Sequence, residues 1–143
     1  MSILSLASSS SVWRGYEYYN DHNVVIWIQR NDNEYEAKVK GTKKEPYQVK
    51  INVAHPRKSE CNCPHAEGTR RICKHMVALF FTVFPKEAEM YIRQIEEYER
   101  EEEEREQEHY DEIEEYVNNL SEEEVRQALI SALIELEERN RYW

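Results

Sequence analysis

The pattern of apolar and polar positions in the first half of the chain predicts three β-strands. Residues 24–29 form a β-branched and aromatic run, and residues 35–39 and 47–53 alternate apolar with polar side chains. A period of two is typical of strands that bury one face. Turn-forming residues at 31–33 and 41–46 separate the three segments. The short connections therefore predict an antiparallel meander.

Helical signals flank this predicted sheet on both sides. The serine run at 8–11 favours capping of a short helix that continues through Tyr19. Residues 75–84 are mostly apolar, contain no glycine and are followed by Pro85, which predicts a helix that ends there. We expect one face of the sheet to pack on this helix through Val77, Phe80, Phe81 and Phe84.

The second half of the chain also has the pattern of helices. Residues 86–117 contain neither glycine nor proline, and Pro85 suits a first helical turn. Apolar residues recur at both ends of this stretch, but residues 99–108 are almost all charged. We interpret the stretch as a bridging helix or charged connector rather than a sustained coiled coil.

A further helix is predicted near the C-terminus. Ser121 and Glu124 have the spacing of a capping box. The following residues place a wide apolar stripe on one face, formed by Val125, Leu129, Leu133 and Leu136. Two interpretations of this stripe remain open. Either residues 110–143 bind another protein or a second copy in a homodimer, or the stripe packs within the chain. Packing within the chain would form a helical hairpin on Ile113, Tyr116, Val117 and Leu120, and the remaining apolar surface could contact the finger domain.

Charge divides the chain into two parts. The sequence has 143 residues and a formal net charge of −10. Residues 1–84 carry 12 Lys and Arg against 8 Asp and Glu, whereas residues 85–143 carry 7 against 21. We therefore predict an α+β domain at 1–84, with a small three-stranded antiparallel sheet, and an acidic α-helical extension at 85–143 made of a long helix and a C-terminal helix.

All three cysteines of the chain lie within fifteen residues of one another and of a histidine, as Cys61, Cys63, Cys73 and His75. Three thiolates and one imidazole match the ligand set of a closed structural zinc site. Residues two apart point to opposite sides of a helix, so Cys73 should lie just before a helix and His75 in its first turn. His55 or His65 remains an alternative fourth ligand, and a Cys-x-Cys redox pair is an alternative use of the first two cysteines. An odd number of cysteines argues against a disulfide framework.

The spacing Cys-x-Cys, a variable spacer and then Cys-x-His resembles the SWIM zinc finger. Asn23 stands where a glycine is frequent in that family, so a left-handed backbone is expected there. The resemblance covers residues 3–84 and implies one structural Zn²⁺ ion. It also implies binding of DNA or proteins, because members occur in recombination, transposition and chromatin-remodelling systems. Other segments that resemble prokaryotic members are Arg14-Gly15, Tyr18-Tyr19, Val39-Lys40-Gly41, Tyr47-Gln48-Val49 and Cys63-Pro64.

Two functional hypotheses follow, and neither is enzymatic. The chain has three glycines in total and no glycine-rich phosphate loop, and most of its glutamates lie in a predicted solvated helix. In the first hypothesis, the finger binds DNA phosphates through cations interleaved with Tyr35 and Tyr47. These cations are Lys43, Lys44, Arg57, Lys58, Arg70, Arg71 and Lys74. In the second hypothesis, the finger and the C-terminal helices form a protein-interaction adaptor. A further alternative is that the acidic helices mimic nucleic acid and inhibit a basic enzyme.

The first residues and the cysteine pattern bear on the cellular compartment. Residues 1–7 are too short and lack the basic start of a secretory signal. No stretch of the sequence is long and apolar enough for a membrane span. With cysteines that do not pair as disulfides, we expect a cytoplasmic, reducing setting without membrane association.

Overall fold

The computed structural model describes residues 2–141 and divides the chain into two compact units between Arg93 and Gln94. The first unit contains the whole of the described sheet, and the second contains helices. The last two residues of the predicted extension, 142–143, lie outside the described residues. The predicted α+β class is confirmed.

The sheet of the first unit is antiparallel, and its strands follow chain order. The three predicted strands are confirmed as β1 (Val24–Gln29), β2 (Glu34–Val39) and β3 (Tyr47–Asn52). A fourth strand, β4 (Glu60–Cys61), pairs with β3 at the edge of the described sheet. The prediction of three strands is therefore wrong by one, because a segment of two residues is too short to show an alternating pattern.

Three helices of the first unit precede or follow the sheet. The helices α2 (Ser9–Asn20) and α3 (Lys74–Val83) are those that the sequence pattern predicts. The additional helix α1 (Ile3–Leu6) is a single turn, too short for any helical period to be visible. Ser2 caps it, and Ile3 is buried in the core. The N-terminal residues thus belong to the packed unit.

The core lies between α3 and the inner face of the sheet. Val39 and Ile51 of the sheet are fully buried, as are Met76 and Leu79 of the helix. Alternation along β2 and β3 sends these side chains to one face, where they meet the apolar side of the helix. The predicted packing of the sheet on α3 is confirmed, with buried or partly buried positions at Val77, Phe80, Phe81 and Phe84.

Gly15 allows α2 to approach α3 closely. A Cβ atom at this position would collide with the side chain of Val77 and lie 2.9 Å from the carbonyl oxygen of Lys74. Glycine inside a helix is less favourable than alanine by about 1 kcal/mol. The close contact with the first turns of α3 explains why this chain nevertheless has a glycine in the middle of α2.

The C-terminus of α2 forms a Schellman motif. The N–H of Asn23 donates to the carbonyl oxygen of Tyr18 at 3.0 Å, and the N–H of His22 donates to that of Tyr19 at 3.1 Å. His22 has a φ of 57°, whereas Asn23 does not have a positive φ. The left-handed backbone expected at Asn23 is therefore displaced by one residue, because the motif requires it at the first position after the helix cap.

The long helix α4 (Pro85–Asn118) runs for 34 residues and crosses the boundary between the units. Its first turns belong to the first unit, where Ala88 is buried and the ring of Tyr91 stacks on Phe81 with centroids 5.5 Å apart. From Glu96 onward its described side chains are exposed. The stretch therefore forms the long helix that the absence of glycine and proline predicts.

The helix α5 (Glu122–Arg141) begins with the predicted capping box. The N–H of Glu124 donates to Oγ of Ser121, and the N–H of Ser121 donates to a carboxylate oxygen of Glu124, each at 3.2 Å. These reciprocal bonds satisfy two backbone donors that an uncapped helix would leave without partners. The helix start is thus set by local sequence.

The apolar stripe of α5 is not covered in the described part of the chain. Every residue of α5 is exposed, and Leu129 and Leu133 are 59% and 56% exposed. Ile113 and Tyr116 of α4 are equally uncovered. The intrachain helical hairpin is therefore wrong. Each helix satisfies its backbone hydrogen bonds internally, so the helices form without packing on each other.

Across residues 2–141, no helix combines the length and the apolar character needed to cross a membrane.

Candidate metal centre

The fold brings the four predicted ligands together at one point. The sulfur atoms of Cys61, Cys63 and Cys73 and a ring nitrogen of His75 all lie within 4.8 Å of one another. Each of the four residues is buried and at most 5% exposed. None of the three cysteines forms a disulfide within residues 2–141. Nine residues of chain lie between Cys63 and Cys73, so the meeting of the two pairs is a result of the fold.

The first pair of ligands comes from β4 and the turn that follows it. Cys61 is held against Val49 of β3 by the strand pairing. Gln48 and Asn62 extend the attachment, because the N–H of Asn62 donates to the Gln48 carbonyl oxygen and the N–H of Gln48 donates to Oδ1 of Asn62. β4, the strand that the pattern of the sequence misses, is therefore the element that positions this half of the site.

Cys63 begins a tight turn beyond β4. Its carbonyl oxygen accepts hydrogen bonds from the N–H groups of Ala66 and Glu67, at 3.2 and 2.9 Å. Gly68 follows with a φ of 73°, a left-handed conformation that glycine adopts without strain. The turn reverses the chain and leads it back toward α3.

The second pair of ligands comes from the start of α3. Cys73 is the N-cap residue of this helix and has an extended backbone, with φ −89° and ψ 169°. His75 is the second residue of the helix. The helix boundary thus falls between Cys73 and Lys74, and this allows both side chains to face one point although they are two residues apart. This part of the prediction is confirmed.

The distances fit a tetrahedral zinc ion. Nδ1 of His75 lies 3.8 Å from the sulfur atoms of Cys61 and Cys73. Zn–S bonds of about 2.3 Å and Zn–N bonds of about 2.0–2.1 Å at tetrahedral angles place sulfur and nitrogen about 3.6 Å apart. These two nitrogen–sulfur distances are therefore compatible with one zinc ion bound among the four side chains. With four protein ligands the site would be closed, as in structural zinc sites, and it leaves no position for a substrate.

Aromatic rings hold the imidazole of His75 in place. The ring of Tyr47 lies 4.5 Å from it, centroid to centroid, and the ring of Tyr18 lies 5.3 Å away at a steep angle. Nε2 of His75 is buried and has no hydrogen-bond partner among residues 2–141. A Cβ atom at Gly41 would collide with the Tyr47 ring. The rings thus orient the imidazole, and Gly41 leaves the space that Tyr47 needs.

The thiols differ in how readily they lose a proton. The neighbouring thiol of Cys73, together with burial, raises the pKa of Cys61 far above its ordinary value. Burial raises the pKa of Cys63. Hydrogen bonding from Cys61, and then from His75 and the N–H of Met76, lowers the pKa of Cys73 to about 4. Without a cation the cluster therefore favours one thiolate, and binding of Zn²⁺ has to displace protons from the other two thiols.

The alternative fourth ligands do not reach this cluster. His55 and His65 are exposed, and neither is among the clustered ligand atoms. The pairing of Cys61 and Cys63 alone, as in a redox motif, would leave the convergence of Cys73 and His75 unexplained. The four-ligand arrangement is the one that the fold supports.

The seven predicted nucleic-acid-binding cations lie on three segments. Lys43 and Lys44 occupy the loop before β3, and Arg57 and Lys58 lie in the 3₁₀ turn Pro56–Lys58 after it. These two pairs are thus at opposite ends of a six-residue strand, which spans roughly 17–20 Å. The remaining three cations adjoin the start of α3 and are Arg70, Arg71 and Lys74.

The two tyrosines that interleave with these cations in the sequence are not available for stacking on bases. Tyr35 and Tyr47 are both buried. Tyr18 is half-buried, and Nζ of Lys74 lies 5.0 Å from the centre of its ring. The aromatic residues near the cations therefore support the metal site and the core. Their role could be recognised only from the fold, because a tyrosine in an alternating strand has the same pattern on either face.

Comparison with known proteins identifies the segment that carries the metal ligands. Residues 47–84 match the family model of the SWIM zinc finger. The match extends from the start of β3 to the residue after α3 and includes all four clustered ligands. Searches of curated proteins and of solved structures found no match. The family match and the geometry together confirm a SWIM-type finger at residues 47–84 and its site for one zinc ion. The match does not extend over residues 3–46, which the predicted resemblance also covers.

Proposed function

We propose that this protein uses its SWIM zinc finger as a non-enzymatic accessory factor in DNA transactions. In this proposal the finger binds nucleic-acid phosphates through cations grouped beside the zinc site. The contact would be largely independent of base sequence, because phosphates carry no sequence information.

The observation that carries the proposal is a set of cations that form no ion pair in the described part of the chain. None of the seven predicted cations forms an ion pair within the part of the chain that the structure describes. By contrast, Arg30 pairs with Glu36 at 2.9 Å and Lys50 with Glu34 at 3.4 Å on the outer face of the sheet. Cations that are not already neutralised are the ones that gain most from a phosphate.

Five of these cations adjoin residues that build the metal site. Lys43 and Lys44 precede Tyr47, which lies against His75, by three or four residues, and Arg70, Arg71 and Lys74 lie within three residues of Cys73. We call these five residues the zinc-end cations; they are Lys43, Lys44, Arg70, Arg71 and Lys74. Zinc binding would order both of their segments at once, so the ion would prepare the charged surface without contacting the nucleic acid.

Positive charge is concentrated in the part of the chain that forms the finger, although the whole chain has a net charge of −10. The acidic residues are concentrated after residue 85, whereas residues 1–84 carry an excess of cations. At physiological ionic strength the Debye length is about 8 Å, so the cations nearest to a bound phosphate dominate the field that acts on it. We therefore expect binding that is detectable at low salt and that weakens steeply as salt rises.

The proposal is tested by fluorescence anisotropy with full-length, zinc-loaded protein and a short labelled DNA duplex. The double substitution R70E/R71E should abolish binding at low salt, since it replaces two attractive charges with two repulsive ones. The double substitution R57E/K58E is the matched control, because it makes the same charge change at the other end of β3. It should weaken binding much less.

Either of two results would overturn this assignment. Wild-type protein that shows no binding at low ionic strength contradicts nucleic-acid binding altogether. Equal loss in the two double variants indicates non-specific attraction to net charge and contradicts a site beside the zinc. Zinc content and thermal stability of each variant show that the finger remains folded.

A second candidate function is that of a protein-interaction adaptor. It is favoured by the exposed apolar side chains of α5, because soluble proteins seldom leave such stripes uncovered without a partner.

To test the adaptor function, tagged full-length protein would be purified from its own host in parallel with the variant Leu133→Asp. A protein that co-elutes with the wild type, that the α5 variant loses and that R70E/R71E retains supports the adaptor. Co-elution that R70E/R71E alone abolishes contradicts it.

A further inference from the structure

The exposed face of α5 repeats like the seam of a coiled coil. Val125, Leu129, Ala132 and Leu136 follow one another at intervals of four, three and four residues. This is the spacing of the a and d positions of a heptad. Ala128 and Leu133 widen the stripe on its two sides. Among the described residues of the chain, nothing covers this face.

We infer that α5 pairs with α5 of a second copy of the chain, antiparallel and around a twofold axis. A twofold interface uses the same surface on both partners, so that surface must be complementary to itself. Two properties of α5 give this complementarity: the order of its large and small side chains, and the order of its charges.

The apolar side chains match when the axis passes between Ile130 and Ser131. Val125 then lies opposite Leu136 of the second copy, and Leu129 lies opposite Ala132 of the second copy. A large side chain thus meets a small one in the central layers, which permits close approach of the two helices. The same layers recur on both sides of the axis, as an antiparallel pair of a and d positions requires.

The charges beside the stripe match in the same arrangement. In an antiparallel pair, the same flank of each helix faces its own counterpart. Arg126 and Glu137 lie on one flank, so each arginine faces Glu137 of the second copy. Glu124 and Arg139 lie on the other flank, so each Arg139 faces Glu124 of the second copy. Four ion pairs would therefore border the apolar layers.

The side chains needed for these pairs are available. Neither Arg126 nor Arg139 forms an ion pair within residues 2–141. Glu137 lies 3.8 Å from Arg141 in its own helix, but both side chains are more than 70% exposed. An exposed contact of this kind contributes little, so it does not prevent Glu137 from facing another arginine.

The charges at the helix ends disfavour the parallel alternative. The first turn of α5 carries three glutamates at residues 122–124, and the last turn carries Arg139 and Arg141. Parallel pairing would place the six glutamates of two copies side by side, and like charges destabilise such pairs. Antiparallel pairing places each acidic end beside a basic end. A second copy of the chain therefore fits this face better than an acidic partner does.

This inference is independent of the proposed nucleic-acid binding. It concerns residues 122–141, whereas the zinc-end cations lie between residues 43 and 74. The dimer is expected without nucleic acid, and R70E/R71E should leave it intact. Failure of one proposal therefore does not affect the other.

The first experiment measures the molar mass of the full-length, zinc-loaded protein by size-exclusion chromatography with light scattering. We expect twice the 17.3 kDa of the chain. The substitution Leu129→Asp should return the mass to that of a monomer. Leu129 is exposed in the single chain, so the variant should keep its zinc and its helical circular dichroism.

The second experiment tests orientation by exchanging charges. Arg126→Glu should weaken the dimer about tenfold, because each of two attractive pairs becomes repulsive. Combining it with Glu137→Arg should restore the dimer, since the two reversed charges again face each other. Glu138→Arg is the matched control for Glu137→Arg, because it makes the same charge change one residue further on, on the opposite face of the helix. Combined with Arg126→Glu, it should not restore the dimer.

Three outcomes would overturn the inference. A protein that remains monomeric at high micromolar concentration excludes the dimer. A dimer that Leu129→Asp does not disrupt uses another surface. A dimer that Arg126→Glu weakens but that the double reversal does not restore lacks the antiparallel register.

Discussion

The first unit and the second unit of this chain differ in what keeps each of them folded. The first unit, which ends at Arg93, has a buried core of strands and helices and four metal ligands from distant parts of the chain. The second unit consists of helical residues whose side chains are almost all exposed. Long-range contacts therefore stabilise the first unit, whereas capping and backbone hydrogen bonds within each helix order the second.

This difference predicts that the loss of one side chain has a larger effect on stability in the first unit than in the second. In the first unit the four metal ligands join β4 and the turn after it to the start of α3. The loss of one ligand side chain should therefore affect the whole unit. In the second unit a single side chain affects only its own helix. Substitutions in the first unit should therefore change stability much more than substitutions in the second unit.

The largest effect is expected from removal of zinc. Structural zinc ions contribute about 10–16 kcal/mol to folding in small domains. A whole domain is stable by only about 5–15 kcal/mol. Cys73→Ser should therefore release about one equivalent of zinc and unfold the first unit. The helical circular dichroism of α5 and of the second part of α4 should persist.

Matched histidine variants sharpen this test. His75→Asn removes a ligand, whereas His65→Asn removes an exposed histidine close to the same turn. Zinc content and thermal unfolding should change in the first variant and remain unchanged in the second. Full metal content in His75→Asn would contradict the ligand assignment.

The next effect is the pH dependence of zinc affinity. The raised pKa values of Cys61 and Cys63 mean that zinc must displace at least these two protons, whereas the pKa of about 4 for Cys73 favours its thiolate. Affinity should therefore fall as pH falls, by at least about 100-fold per pH unit while both thiols are protonated. Calorimetry in buffers with different ionisation enthalpies counts the protons released. A release of fewer than two protons per zinc would contradict this explanation.

A smaller effect is expected at the contact between α2 and α3. Gly15→Ala would normally stabilise a helix by about 1 kcal/mol. Because a Cβ atom there collides with Val77, we expect a net destabilisation of about 1–3 kcal/mol instead. Urea unfolding of the zinc-loaded protein measures the change. Glu17→Ala, at an exposed position of the same helix, is the control and should change the stability little.

The smallest effect is expected in the second unit. Ser121→Ala removes the side-chain acceptor of the α5 capping box and should destabilise the start of that helix by about 1 kcal/mol. Amide hydrogen exchange should increase at residues 122–125 and remain unchanged in α3. An equal increase in the first unit would contradict the independence of the two sources of order.

Most helices and strands could be predicted from the sequence, because periodicity and caps act locally. The alternation in residues 35–39 and 47–53 predicted β2 and β3, and Ser121 with Glu124 predicted the start of α5. Elements of one turn or two residues, such as α1 and β4, could not be predicted in this way. Their positions depend on partners elsewhere: α1 is anchored by the burial of Ile3, and β4 by its pairing with β3.

In the candidate site, too, the sequence predicted some features and not others. The residue types and their spacing identified Cys61, Cys63, Cys73 and His75 as ligands, because few other chemistries use three cysteines and a histidine so close together. The packing of Tyr18 and Tyr47 on the imidazole is a different matter. An aromatic residue in a helix or an alternating strand does not indicate which neighbour it will meet.

The sequence by itself thus determined the local elements, the metal ligands and the separation of charge between residues 1–84 and 85–143. Only the tertiary structure decided that β4 positions Cys61, that Gly15 and Gly41 make room for Val77 and Tyr47, and that the apolar face of α5 is uncovered. The physical reason is range: caps, turns and periodicity depend on residues a few positions apart. Burial and close contact depend on which distant segments meet.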